Sequence, residues 1–122
     1  MQNGSSLETA KTSSCGSDVC IDLGDSANTA LASPGGAMLI DSNGETIMVI
    51  RTSQADVVAV SAICTHAGCS MNFNASNQHI ECPCHGSVFA ENGAVINGPA
   101  NRPLRVYAAS LDTQANTITV TP

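Results

Sequence analysis

Four of the six cysteines and two of the three histidines in this chain fall in two short stretches. The first reads Cys64-Thr65-His66-Ala67-Gly68-Cys69 and the second Cys82-Pro83-Cys84-His85-Gly86-Ser87. Each offers a soft thiolate and a borderline imidazole, spaced Cys-x-His in the first and Cys-x-x-His in the second. Gly68 and Gly86 let the backbone turn tightly and approach whatever is bound. Two thiolates and two imidazoles suit two inorganic sites. One is a tetrahedral zinc. The other is a 2Fe-2S cluster with both cysteines on one iron and both histidines on the other. Zinc fingers usually pair Cys with Cys and His with His. Here each stretch supplies one of each, which suits a two-iron rhomb because each loop then reaches across both metals. Three structural disulfides are the remaining plain reading of six cysteines. Colour separates the three, since neither zinc nor a disulfide absorbs visible light.

Cys-x-His, an interval of fifteen residues, then Cys-x-x-His resembles the Rieske iron–sulfur proteins. The extra cysteine in each stretch resembles the high-potential Rieske proteins of quinol-oxidising cytochrome bc-type complexes. The resemblance covers residues 64–104. It implies that Cys64 and Cys82 hold an inner iron and that His66 and His85 hold an outer, more exposed one. It also implies a disulfide between Cys69 and Cys84 that ties the two loops over the cluster. Charge supports a high potential. Two ferric ions, two sulfides and two thiolates sum to zero, whereas a four-thiolate cluster carries two negative charges and accepts an electron less readily. Exposed imidazoles that lose a proton in the oxidised state couple the electron to a proton.

Three further positions follow from the resemblance. Ser87 matches a family serine that donates a hydrogen bond to a bridging sulfide, which stabilises the reduced form. Phe89 stands where high-potential members often have a tyrosine bonded to a ligand sulfur, so the potential is expected to be moderated. Ala67 stands where members that dock on cytochrome b usually carry a larger apolar residue, and it offers less surface to a quinol pocket. Residues 97–104, with Pro99 and Pro103, resemble the family's Pro-rich loop that shields the cluster from a third side.

Alternating apolar and polar residues predict the strands that must hold these loops. They are expected at 19–23, 37–40, 46–51, 56–63, 71–73, 78–81, 88–90, 94–96, 105–111 and 116–121. Asn43-Gly44 and Asn92-Gly93 signal hairpin turns, and Pro34-Gly35-Gly36 signals a turn. No helix is strongly signalled. His79 alternates with Ile80 and has no cysteine or histidine at ligand spacing, so it reads as an outward-facing strand residue. Residues 1–17 are rich in Ser, Thr, Asn and Gly and read as a flexible lead-in. Cys15 and Cys20 at its end form either a local disulfide or two free thiols.

At 122 residues the chain suits one domain. Aromatics are limited to Phe73, Phe89 and Tyr107, so an aliphatic core that gains from a cross-link and a cluster is expected. Four basic residues against ten acidic ones give a net charge of −6, which argues against nucleic acid and suits a basic redox partner. No apolar run is long enough to span a bilayer, and no signal peptide is visible at the start. Disulfides point to an oxidising, extracytoplasmic compartment such as the periplasm. No nucleophile–base pair or phosphate loop is visible.

The expectation is therefore an all-β protein. It is an antiparallel β-sandwich of the Rieske fold spanning residues 18–122, with a cluster-binding subdomain at about 63–104. Its function is one-electron transfer through a single 2Fe-2S cluster, as the extracytoplasmic domain of a quinol–cytochrome c reductase iron–sulfur subunit. Quinol or cytochrome b would be the donor and a c-type cytochrome the acceptor. A free-standing soluble carrier, or an accessory subunit of the arsenite oxidase type, is the first alternative. A zinc-stabilised binding domain is the second.

Overall fold

Alternation in the sequence becomes eleven strands and one short helix in the computed structural model, which describes residues 7–42, 44–63, 71–83, 86–98, 100 and 102–122. The strands are β1 (Thr12–Cys15), β2 (Asp18–Asp22), β3 (Ala37–Ser42), β4 (Glu45–Arg51), β5 (Val57–Ser61), β6 (Asn72–Asn74), β7 (His79–Glu81), β8 (Val88–Ala90), β9 (Val95–Asn97), β10 (Val106–Asp112) and β11 (Thr117–Thr121). They form two sheets, in the orders β1-β2-β11-β10-β5-β4-β3 and β6-β7-β8-β9, and every named pairing is antiparallel.

Strand β4 explains how the two sheets share one molecule. Successive side chains of a strand point to opposite faces. Ile47 and Val49 enter one apolar cluster with Met38, Ile40, Ala59, Tyr107, Ile118, Val120 and Ile21. Met48 and Ile50 enter the other with Val60, Ala62, Ile80 and Phe89. All four are fully buried. A strand covered on both faces needs a continuous apolar run, and Ile47-Met48-Val49-Ile50 supplies one.

The inner face of the larger sheet wraps the first cluster. Tyr107 is buried there, and its hydroxyl donates to Glu45 Oε1 at 2.6 Å. Burial raises the Tyr107 pKa, and the Glu45 carboxylate raises it further. The outer face of β3, β4 and β5 carries the smaller sheet. Each strand of that sheet has only three residues. The registers align Phe73, Ile80, Phe89 and Val95 in one cross-strand row, and this row packs into the second cluster.

The structure departs from the sequence reading in two places. A 3-10 helix occupies Ser26–Ala32, broken at Asn28, where φ and ψ leave the helical region. Its seven residues are too few for a 3.6-residue period to show. Asp25 caps it by accepting from the Ala27 amide at 2.9 Å. That bond, with help from Lys11, holds the Asp25 carboxyl below its ordinary value. The second departure lies within the segment read as flexible, where Thr12–Cys15 is a strand on β2. Its side chains are mostly exposed, so no apolar alternation marks it. Cys15 and Cys20 are disulfide-bonded across this hairpin, which decides between the two alternatives.

Two buried polar residues fix the helix. Asn28 is fully buried and acts as a one-residue strand partner: its Oδ1 accepts from Lys11 N at 2.8 Å, and its Nδ2 donates to the carbonyls of Lys11 and Asp22. Arg51 is buried at the end of β4 and donates to the carbonyls of Leu31, Ala32, Ser53 and Gln54. Its planar fork matches several carbonyls at once, which a lysine could not do.

Candidate metal centre

The two motif stretches connect neighbouring strands of the smaller sheet to its surroundings. The first lies between β5 and β6, and the second joins β7 to β8. Register places their ends together. Asn72 pairs with Glu81, Glu81 with Val88, and Val88 with Asn97. Both motif stretches and the Pro-rich stretch after β9 therefore leave the same end of the sheet.

Backbone bonds close the base of each loop. Met71 N donates to Ala62 O at 2.8 Å across the first. Cys82 N donates to Ser87 O at 2.8 Å, and Gly86 N to Cys82 O at 3.0 Å, across the second. Gly86 has φ of +79°, in the left-handed region that a side chain would strain, which explains a glycine there. Ala62, Met71, Cys82, Phe89, Ala100 and Leu104 are all buried in one apolar cluster beneath the loops. That floor excludes water from one side of anything held above it.

Cys82 is buried, and it is the one cysteine among the described residues that has no disulfide. Ser87 is fully buried. Its Oγ accepts from Ala100 N at 3.0 Å, which ties the Pro-rich stretch to the second loop. Its own hydrogen finds no acceptor among the described residues. A buried thiol and a hydroxyl proton with no acceptor among the described residues fit a metal–sulfide group, which takes a thiolate as ligand and accepts hydrogen bonds at its sulfur.

Cys64, His66, Ala67, Cys69, Cys84, His85 and Pro99 lie outside the described residues, as does the pairing of Cys69 with Cys84. His79 pairs with Asn74 and Ala90, at the end of the sheet opposite the loops. It belongs to no cluster of metal-binding side chains among the described residues. Phe89 fills the centre of the second apolar cluster with no exposed surface. Sequence reading missed the role of Ala100, whose amide reaches Ser87. Its only signal was its place in the Pro-rich stretch.

Residues 25–108 match the family of Rieske 2Fe-2S domains. The chain belongs to that family. Its Rieske domain holds one 2Fe-2S cluster and transfers electrons. The cytochrome b6-f complex iron–sulfur subunit of Synechococcus sp. (strain JA-3-3Ab) is 43% identical over 67 residues, which cover 55% of this chain and 39% of that subunit. The corresponding subunit of Chlorobaculum tepidum is 36% identical over 70 residues, covering 57% and 38%. The chain thus spans about two fifths of these relatives. Among solved structures, the plasma membrane Rieske protein of Synechocystis PCC 6803 superposes with a TM-score of 0.64 at 33% identity, over 70% of this chain and 86% of that one. The ferredoxin of carbazole 1,9a-dioxygenase from Nocardioides aromaticivorans IC177 reaches 0.61 at 33% identity, over 74% and 88%. No helix among the described residues is long and apolar enough to cross a membrane.

Proposed function

We propose that Cys64 and Cys82 bind one iron of the cluster, that His66 and His85 bind the other, and that a disulfide between Cys69 and Cys84 ties the two loops together. Residues 18–122 form the Rieske domain in this reading, with the cluster-binding subdomain at about 63–104. The observation that carries it is the buried, free Cys82 thiol and the buried Ser87 hydroxyl, on residues joined backbone to backbone at the end of the smaller sheet. When bound, the cluster supplies a one-electron acceptor and donor at that end.

The residues of the chain then have separate tasks. Cys82 presents its sulfur from a loop closed by two backbone bonds. Ser87 donates its remaining hydrogen toward sulfur, which favours the reduced state. His66 and His85 exchange a proton with solvent or with a bound quinol. Phe89 fills the floor without supplying a hydroxyl, which moderates the potential. We infer that the chain serves as the extracytoplasmic domain of a quinol–cytochrome reductase iron–sulfur subunit, with quinol at cytochrome b as donor and a c-type cytochrome as acceptor. The similarity to cytochrome b6-f subunits supports this setting. A soluble carrier is the second reading, favoured by the fit to the dioxygenase ferredoxin and by the small Ala67 beside His66.

Metal and acid-labile sulfide analysis, followed by redox titration across pH, tests the proposal. Two irons and two sulfides per chain are expected, with a potential in the upper half of the range of about −150 to +300 mV that falls as pH rises. A potential near the bottom of that range, flat through neutral pH, would replace the respiratory setting by an oxygenase-type carrier. Stoichiometric zinc in a colourless protein would overturn the ligand assignment.

A further inference from the structure

The larger sheet has two edges to protect, and one extended segment covers both. Glu8 O accepts from Leu39 N at 2.9 Å, and Ala10 N donates to Leu39 O at 2.7 Å, so residues 8–10 run parallel to β3 at one edge. Lys11 is held by Asn28 through both its amide and its carbonyl. Thr12–Cys15 then pairs with β2 at the other edge. The segment is a closing stave for the sheet. Its side chains do little to hold it. Ala10 is buried, Leu7 packs against the second cluster, and β1 itself is mostly exposed. Backbone bonds, Asn28 and the Cys15–Cys20 disulfide do the holding.

Parity puts that disulfide on the outer face of the sheet. Val19 and Ile21 pack on the core, so Cys20 between them points outward. Cys20 pairs with Ser13 and Cys15 with Asp18, so the two cysteines are diagonal neighbours on one face. Both are half-buried, and neither belongs to an apolar cluster. A groove of about 200 Å³, lined by Lys11, Thr12, Ser13, Cys20, Asp22 and Asp25, opens beside Cys20. The cross-link closes a very short ring, with a sequence separation of five. It therefore acts directly on the β1–β2 hairpin and, through Lys11, on residues 8–10, which lead into it. All of this lies before Asp25, where the family match begins.

We propose that Cys15 and Cys20 form a thiol–disulfide exchange site that takes a dithiol reductant, and that reduction unlatches the stave from β2 and β3. A thiolate of the dithiol enters the groove and attacks Cys20 Sγ, which breaks the S–S bond and releases the Cys15 thiolate. The second thiol of the reductant then attacks the mixed disulfide and releases Cys20. Two electrons and two protons pass to the chain, and the dithiol leaves as a disulfide. The other six strands of the larger sheet and the whole smaller sheet keep most of their cores, because the stave adds only Ala10 to the first cluster and Leu7 to the margin of the second. Release bares backbone donors and acceptors along β2 and β3.

Hydrogen exchange on the full-length, cluster-loaded protein tests this, with and without dithiothreitol. The double variant Cys15→Ser/Cys20→Ser, measured without reductant, separates the effect from any change at the cluster. Iodoacetamide capture of Cys15 and Cys20 under native conditions is expected in the reduced sample. Exchange at the Ala10 and Leu39 amides is expected to speed by about tenfold or more in the reduced protein and in the variant. Ile118 and Val49 should stay within about twofold. Resistance of both cysteines to capture until the protein is denatured would overturn the exchange site. Captured cysteines with unchanged exchange at Ala10 and Leu39 would overturn the latch. Equal loss of protection at Ile118 and Val49 in reduced wild type would also overturn it.

Discussion

The two sheets of this molecule are held up differently. The larger one has strands of four to seven residues, wraps its own apolar cluster and is closed by an extended segment. The smaller one has three-residue strands, each adding one side chain to the inward row: the central residue of β6, β7 and β8, and Val95 at the start of β9. That single row could not support a sheet alone. It relies on the outer face of β3, β4 and β5 for the rest of its core. The connections at one end of it, between β5 and β6 and between β7 and β8, carry the two cysteine–histidine stretches. The division makes chemical sense, because a large hydrophobic platform fixes the base of the loops while the loops keep sequence freedom for ligands.

The smaller sheet depends on the larger one most directly at Phe89. Phe89→Ala leaves a cavity in the shared cluster and should destabilise the fold by about 3–5 kcal/mol, read by denaturant unfolding. Visible absorbance should be lost before the far-ultraviolet signal of the larger sheet. Coincident loss of both would show that the sheets fold as one unit. The opposite arm is Asn28→Ala. It leaves the backbone of Lys11 and Asp22 unpaired in a buried place and should lower stability by about 2–3 kcal/mol, with the potential unchanged.

A smaller effect is expected at Ser87. Ser87→Ala removes the hydroxyl proposed to donate to the cluster, so the potential should fall by about 40–60 mV in a voltammetric measurement. The Ala100 amide also loses its acceptor, with a stability loss of about 1 kcal/mol. A changed stability with an unchanged potential would confine Ser87 to holding the Pro-rich stretch. The smallest effect is at Glu91, in the turn between β8 and β9. Its Oε2 is buried with no hydrogen-bond partner among the described residues, although the residue as a whole is only half-buried. Desolvation raises its pKa above 4.5. Ionised Glu91 therefore opposes folding at neutral pH, and the opposition fades as pH falls through the raised value and is gone below about 4.5. Glu91→Gln should raise stability at pH 7 by about 0.5 kcal/mol or less and change nothing at pH 4, as thermal melts at the two values would show.

Apolar patterning made ten of the eleven strands legible, because burial on one face leaves a period-two trace and burial on both, as in β4, leaves a continuous apolar run. The cysteine and histidine spacing made a soft-metal site legible, because coordination demands particular donors at short range, and its resemblance to the Rieske proteins named the cluster. Only the tertiary structure decided what has no local trace. Thr12–Cys15 is a strand although nearly all its side chains face solvent, since backbone ladders and a cross-link hold it. Ser26–Ala32 is helical because Asn28 finds Lys11 and Asp22, partners brought from other elements. Ala100 meets Ser87 only once β9 has returned to the loop end of the smaller sheet. Ile47-Met48-Val49-Ile50 announces burial, but which pair faces which core is set by register against β3 and β5, and register is a property of the assembled sheets.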